Sequence, residues 1–218
     1  MVALSNTSAR QFKIPVWFTL PLLIGILVVG FWLIATFLAP YMTPYDPLQM
    51  ADRRLQIPSW SHWLGTDALG RDVLARTLYG ARHSLPIALV VVVSAVIIGA
   101  LAGAVAGYRG GWVDAAIAAG AGSGRILFKH ILPLCWTPVL ISATMDLGQV
   151  ILLAASLSFI GLGATPPTPE WGSMIAEGAV HFYNWWIAMG PGLAILTIVL
   201  GFNFIGDGLR DYFDPRSK

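Results

Sequence analysis

Cysteine is almost missing from this chain, and the one residue present, Cys135, excludes an internal disulfide. Charge is scarce too. Asp, Glu, Lys and Arg make up 11% of the 218 residues and the net charge is +2, too little to suggest a nucleic-acid partner. The residues that carry catalysis elsewhere lack the spacing that chemistry needs. His62, His83, His130 and His181 stand in no metal-ligand spacing to one another or to Cys135, so each reads as a surface or interfacial residue and no metal is expected. Neither a Gly-x-Ser-x-Gly elbow nor a His-Glu-x-x-His pair occurs, which removes the nucleophile and the zinc of a hydrolase. Gly120, Gly122 and Gly124 invite a nucleotide-loop reading, but Arg125 and Ile126 follow where Lys and Ser or Thr would be required. A dinucleotide loop would need glycine at 125. No catalytic residue and no cofactor bound by this chain are therefore expected.

What the chain has instead is apolar surface, at 56% of its residues, so lipid is the solvent for most of it. Residues 14–40 carry no charge and exceed the ~20 residues that cross a bilayer as a helix. This run is too long for the apolar core of a signal peptide. Residues 84–108 are again uncharged, 134–164 are interrupted only by Asp146, and 187–206 form a fourth span. The intervening stretches are polar. Residues 41–83 hold Asp46, Asp52, Arg53, Arg54, Asp67, Arg71, Asp72, Arg76 and Arg82. They read as an irregular layer followed by one amphipathic helix that buries Val73, Thr77, Leu78, Ala81 and Leu85. Residues 165–186 read as a rigid, proline-rich interfacial layer whose Trp171, Tyr183, Trp185 and Trp186 form an aromatic belt.

Counting Lys and Arg orients the chain. With a cytoplasmic N-terminus (1–13), eight cations (Arg10, Lys13, Arg109, Arg125, Lys129, Arg210, Arg216 and Lys218) fall inside and five outside, so both termini and the 109–133 segment are expected in the cytoplasm. The C-terminal segment is then 207–218.

Three patterns stand out within this frame. From Arg125 the apolar Ile126, Leu127 and Ile131 recur at helical spacing while Arg125, Lys129 and His130 stay polar, and Pro133 stops or bends the helix. Such a cationic helix either docks into a groove on a soluble partner or lies as a loop against headgroups. Gly99, Gly103 and Gly107 recur every four residues, a face that lets another helix approach closely in lipid. Ser142, Asp146, Gln149 and Ser156 share one side of a helix. They line either a solute path or an interhelical hydrogen-bonded seam, and the seam is preferred because polar residues in membranes often serve as glue.

Several ordered stretches carry a resemblance. They are Leu64-Gly-Thr-Asp67 with Gly70-Arg-Asp-Val-Leu-Ala-Arg76 and Leu78-Tyr-Gly-Ala-Arg82, Gly107-Tyr-Arg-Gly-Gly-Trp-Val-Asp114, and Gly120 through Ile131-Leu-Pro133. Leu157-Ser-Phe-Ile-Gly-Leu-Gly163, Pro166-Pro-Thr-Pro-Glu-Trp-Gly172 and Gly206-Asp-Gly-Leu-Arg-Asp211 with Asp214-Pro215 complete the set. In these the chain resembles the inner-membrane permease subunits of dipeptide, oligopeptide and nickel ABC importers, specifically the second of their paired permeases. The resemblance implies an all-α, polytopic membrane helical bundle, the type I transmembrane domain of ABC importers, in a bacterial inner membrane. It implies as partners the lipid bilayer, a homologous permease subunit, two cytoplasmic ATP-binding subunits that hold ATP and Mg, and an extracytoplasmic solute-binding protein. It also identifies Gly120 to Pro133, within the 109–133 segment, with the family's EAA loop, whose coupling helix enters a cleft on the ATPase.

In this chain Asp114, Ala115 and Ala116 occupy the Glu-Ala-Ala positions before Gly120, with Asp in place of Glu. That Asp114 also ends the Gly-Tyr-Arg-Gly-Gly stretch, although two further spans separate these motifs in the family. About 60 to 80 residues, two helices with their loops, are thus missing near 115–120. The gap is either a shortening of the chain or a segment left out, and the second is preferred because losing two spans removes much of a five-to-six-helix core. Ala154 is a further departure, since the family usually has Glu there. Two rivals remain, an ATPase-independent channel or secondary carrier, for which only Asp146 offers a midplane ion site, and a non-transporting scaffold.

Overall fold

A computed structural model describes residues 16–108, 132–164 and 167–213. Among these lie five α-helices: α1 Val16–Met42, α2 Val73–Tyr108, α3 Leu132–Phe159, α4 Trp171–Val180 and α5 Trp186–Phe213. No strand occurs among them beyond one isolated bridge between Thr66 and Asp72. Four of the helices, α1, α2, α3 and α5, are long and apolar enough to cross a membrane. The 43–72 loop and α4 lie at one end of the bundle, here called the cap end.

The helices form where apolar stripes persist. On α2, Leu78, Ala81, Leu85, Ala88 and Val92 are buried at steps of three and four, so the amphipathic helix expected within 41–83 and the span expected at 84–108 are one helix of 36 residues. Pro86 lies inside it without ending it. Proline removes a single backbone bond, and the stripe packs continuously on both sides of it. The other boundaries shift similarly. Two residues past Pro40 α1 ends, α3 stops at Phe159 before a turn, and α5 runs on to Phe213, carrying Asp207, Arg210 and Asp211.

Close approach comes from other glycines than those the spacing singled out. A Cβ at Gly25 of α1 would stand 2.8 Å from the Gly201 carbonyl of α5, and one at Gly206 would stand 2.8 Å from Met145 of α3. Gly99 and Gly103 face open space, with no described helix against them. The surroundings of Gly107 lie outside the described residues.

The 165–186 layer differs from expectation in the way it buries its aromatics. Glu170 caps α4, each of its two carboxylate oxygens accepting one N–H, from Gly172 and Ser173, both at 2.9 Å. Trp171 follows, fully buried. Its ring meets Trp32 of α1 edge-on at 5.0 Å, and its Nε1 donates to the Thr77 carbonyl at 2.9 Å. Trp186 is buried as well and donates to the Thr66 carbonyl at 3.2 Å. An indole finds a fully apolar site only if its N–H is satisfied there, and both rings meet that condition inside the cap. Trp185 and Tyr183 alone of the expected belt are exposed.

Trp171→Ala removes a ring that joins α1, α2 and α4 and leaves the Thr77 carbonyl without its indole. It is expected to cost about 3–5 kcal/mol, seen as a large fall in the unfolding midpoint of the detergent-solubilised protein, whereas Trp185→Ala should change it little.

Candidate translocation face and its cap

The cap is built around charge that the bundle buries. Asp67 is fully buried. One of its oxygens accepts from the backbone N–H of Leu69 (2.8 Å) and Arg71 (2.9 Å), and the other accepts from Arg71 Nε at 2.7 Å and from Arg76 Nη1. Glu177 of α4 completes the group, taking Arg76 Nη1 at 2.8 Å and Arg71 Nη2 at 3.4 Å on one oxygen. Two guanidiniums and two carboxylates therefore neutralise one another. The Glu177 side chain is 21% exposed, so it is the member that water reaches. Arg76 Nε is the one buried polar side-chain atom without a partner among the described residues.

A second buried pair fixes the start of α2. Asp72 is its N-cap and accepts the Ala75 N–H at 2.7 Å, while its other oxygen accepts from His62 Nδ1 at 2.8 Å. Tyr45 packs over the imidazole at 4.7 Å between centroids. His62, expected at a surface or interfacial position, is thus buried, because a carboxylate and an aromatic ring replace its contact with water. The backbone follows these anchors. Asp67 N–H donates to the Arg71 carbonyl, Leu55 N–H to the Asp67 carbonyl, and Ala51 N–H to the Gly70 carbonyl. Gly70 turns at φ +76°, against the Asp52 carbonyl, where a side chain would be strained and would collide.

The sequence-derived path residues lie on α3. Ser142, Asp146, Gln149 and Ser156 are all exposed and share one side, while Gly148, Ile151, Ala155 and Ser158 of the same helix are buried on another. Ser156 donates back to the Leu152 carbonyl, and none of the four bonds another described helix. The seam expected from them is therefore not formed within the described bundle. Pro133 falls in the first turn of α3, where proline is tolerated. Asp114, Ala115, Ala116, Gly120, Arg125, Ile126, Leu127, Lys129, His130 and Ile131 lie outside the described residues.

The Asp67, Arg71, Arg76 and Glu177 cluster does not show in the sequence pattern, where the first three stand as charges that keep 41–83 out of lipid and as parts of the stretches that carry the resemblance. The available signal was the run of Asp67, Gly70, Arg71 and Asp72 beside Arg76. Glu177 gave none, because it joins the cluster from about a hundred residues away. No cluster of His, Cys, Asp and Glu capable of holding a metal occurs among the described residues.

Four apolar spans, a cap of internally neutralised charge and a polar face left open on one span define a multi-pass helical membrane protein of the permease class. Residues 11–218 match the family of binding-protein-dependent transport system inner membrane components, and the chain belongs to it. It is a permease subunit of an ABC importer and a multi-pass inner-membrane protein.

A dipeptide transport system permease protein of Alkalihalophilus pseudofirmus is 33% identical over 261 residues, covering 90% of this chain and 86% of that protein. A di/tripeptide permease of Pseudomonas aeruginosa is 35% identical, over 89% and 88%. A dipeptide permease of Escherichia coli is 35% identical, over 89% of each. Ninety per cent of 218 residues is about 196, so about 65 of the 261 aligned positions have no residue of this chain opposite them.

Removing one member of the buried cluster strands its partners. Asp67→Asn is expected to destabilise the protein by about 3–5 kcal/mol. Glu177→Gln, at the wet edge, should cost clearly less, and equal losses in thermal unfolding of the two variants would contradict the ranking.

Proposed function

We propose that this permease subunit forms one side of an alternating-access path for di- or oligopeptides, or a related small solute. ATP and Mg are held by two cytoplasmic partner subunits, a homologous permease forms the other side of the path, and an extracytoplasmic binding protein delivers the solute to the cap. The relatives' names support peptides as the solute class. The observation that carries the path is the open polar face of α3. An ionised Asp146 facing lipid would cost several kcal/mol, and no other described helix bonds it, so the face requires water or a second subunit.

Orientation follows from the cation count, with both termini in the cytoplasm and the cap outside. Four spans place the start of α1 and the end of α5 at the same end of the bundle, in agreement with this. The coupling segment then lies in the cytoplasm, Asp114 to Ala116 leading to Gly120 and to the Arg125–Pro133 stretch. There Ile126, Leu127 and Ile131 would fill a groove on the ATPase, with Arg125, Lys129 and His130 at its rim. Closure of the ATPase pair would favour one packing of the helices over another through this contact. The roughly 65 absent positions fall, on this reading, between Asp114 and Gly120, which removes two spans and preserves the inside-outside order.

Reversing Arg125 and Lys129 together to Glu is expected to abolish copurification of the ATPase subunits and to lower ATP-driven dipeptide uptake in proteoliposomes by about tenfold or more. Uptake that persists unchanged, or that proceeds without any ATPase, would point to a self-contained carrier instead. Asp146→Leu should leave copurification intact while reducing uptake, since it dries the path without touching the coupling segment.

A further inference from the structure

A pocket of about 170 Å³ opens at the cap end between α2, α3, α4 and α5. Its walls are mainly apolar, with Ile87, Ile151, Leu157, Ile195 and the Trp171 ring, and the volume compares with the ~150 Å³ apolar cavity that holds benzene. One end differs. Glu170 lies in the lining at 4% exposure, and Ser84 and Ser158 add hydroxyls.

Glu170 caps α4, but the cap uses only two of the roughly four acceptor positions of a carboxylate. No Lys, Arg or His among the described residues lies within ion-pair distance of it, in contrast to Asp67, Asp72 and Glu177, each paired with a cation or imidazole. A carboxylate this buried is seldom left without a positive partner.

The pocket also borders the open face of α3. Stepping 100° per residue, Leu157 and Ala154 fall between the Ser142, Asp146, Gln149 and Ser156 side and the buried side of that helix. A solute moving along the face would pass the pocket mouth.

We propose that this pocket binds a primary ammonium carried next to a short apolar side chain, the chemistry of a peptide's N-terminal residue, with Glu170 pairing the ammonium and the apolar walls taking the side chain. The assignment deepens the import reading and rests on it for its biological meaning. Ala154 lies in the pocket wall, so a much larger residue there would take up space the side chain needs.

The probe is leucinamide, which has the ammonium and a branched side chain but no carboxylate, titrated calorimetrically into the complete transporter in nanodiscs. Saturable binding at one site per copy of this chain is expected, with N-acetylleucinamide and glycinamide binding at least about tenfold more weakly. Glu170→Ser keeps a residue that caps helices well but removes the charge, so its unfolding midpoint should stay near the parent's while leucinamide affinity falls about tenfold. Ala154→Phe should abolish binding by filling the lobe. It carries the test alone if the Ser variant proves unstable.

Absent binding by the parent protein, or affinity unchanged in both variants, overturns the assignment, as it would if lipid occupied the pocket. ATP-driven peptide uptake measured alongside separates the two readings. Uptake without leucinamide binding sinks only the pocket, and a complete complex that moves no peptide sinks the import reading.

Discussion

Burying two arginines is possible here only because two carboxylates arrive with them, and most of the cap follows from that neutrality. Asp67 and Arg71 come from the loop, Arg76 from the first turn of α2 and Glu177 from α4, so charge balance forces three separate pieces of chain to one place. Arginine suits the role better than lysine. The planar fork of Arg71 serves both acids at once, Nε reaching Asp67 and Nη2 reaching Glu177, while Arg76 reaches both through Nη1 alone. With α4 held over α2, the Trp171 ring lies between Gly80 and Trp32, and Glu170 is carried to the rim of the pocket.

The bundle below the cap obeys a different constraint. Lipid does not reward apolar contact between helices, so association there depends on close backbone approach and satisfied polar groups. Gly25 against Gly201 provides the first between α1 and α5. The bond from Trp32 Nε1 to Thr197 Oγ1, at 3.0 Å, provides the second. Among the described residues, two of the open surfaces differ in kind. The second half of α2, from Val93 to Gly103, is apolar and compatible with lipid or with another apolar helix. The α3 face carries Asp146 and is incompatible with lipid, so it calls for water or a polar partner.

The glycines show what periodicity leaves open. Gly99 and Gly103 have the spacing of a packing face but meet nothing described, whereas Gly201, Gly206 and Gly208 of α5 lie against neighbouring helices with no regular repeat to announce them. A small-residue repeat states that close approach is permitted. Whether a helix takes the opportunity depends on which partner the rest of the chain supplies.

By itself the sequence determined the solvent of each segment. Uncharged runs longer than a bilayer is thick can only be spans, the stripe of Val73, Thr77, Leu78, Ala81 and Leu85 can only be a buried helical face, and the ordered motifs placed the chain in its family. Tertiary structure alone decided which polar residues are buried together. His62 reads as a surface or interfacial residue and Trp171 as part of an interfacial belt, yet Asp72 and the Thr77 carbonyl satisfy them in buried sites, and Glu177 joins arginines about a hundred residues distant. Burial of a polar group depends on a partner supplied by another element, and that partner is a property of packing in three dimensions, with no trace in local spacing.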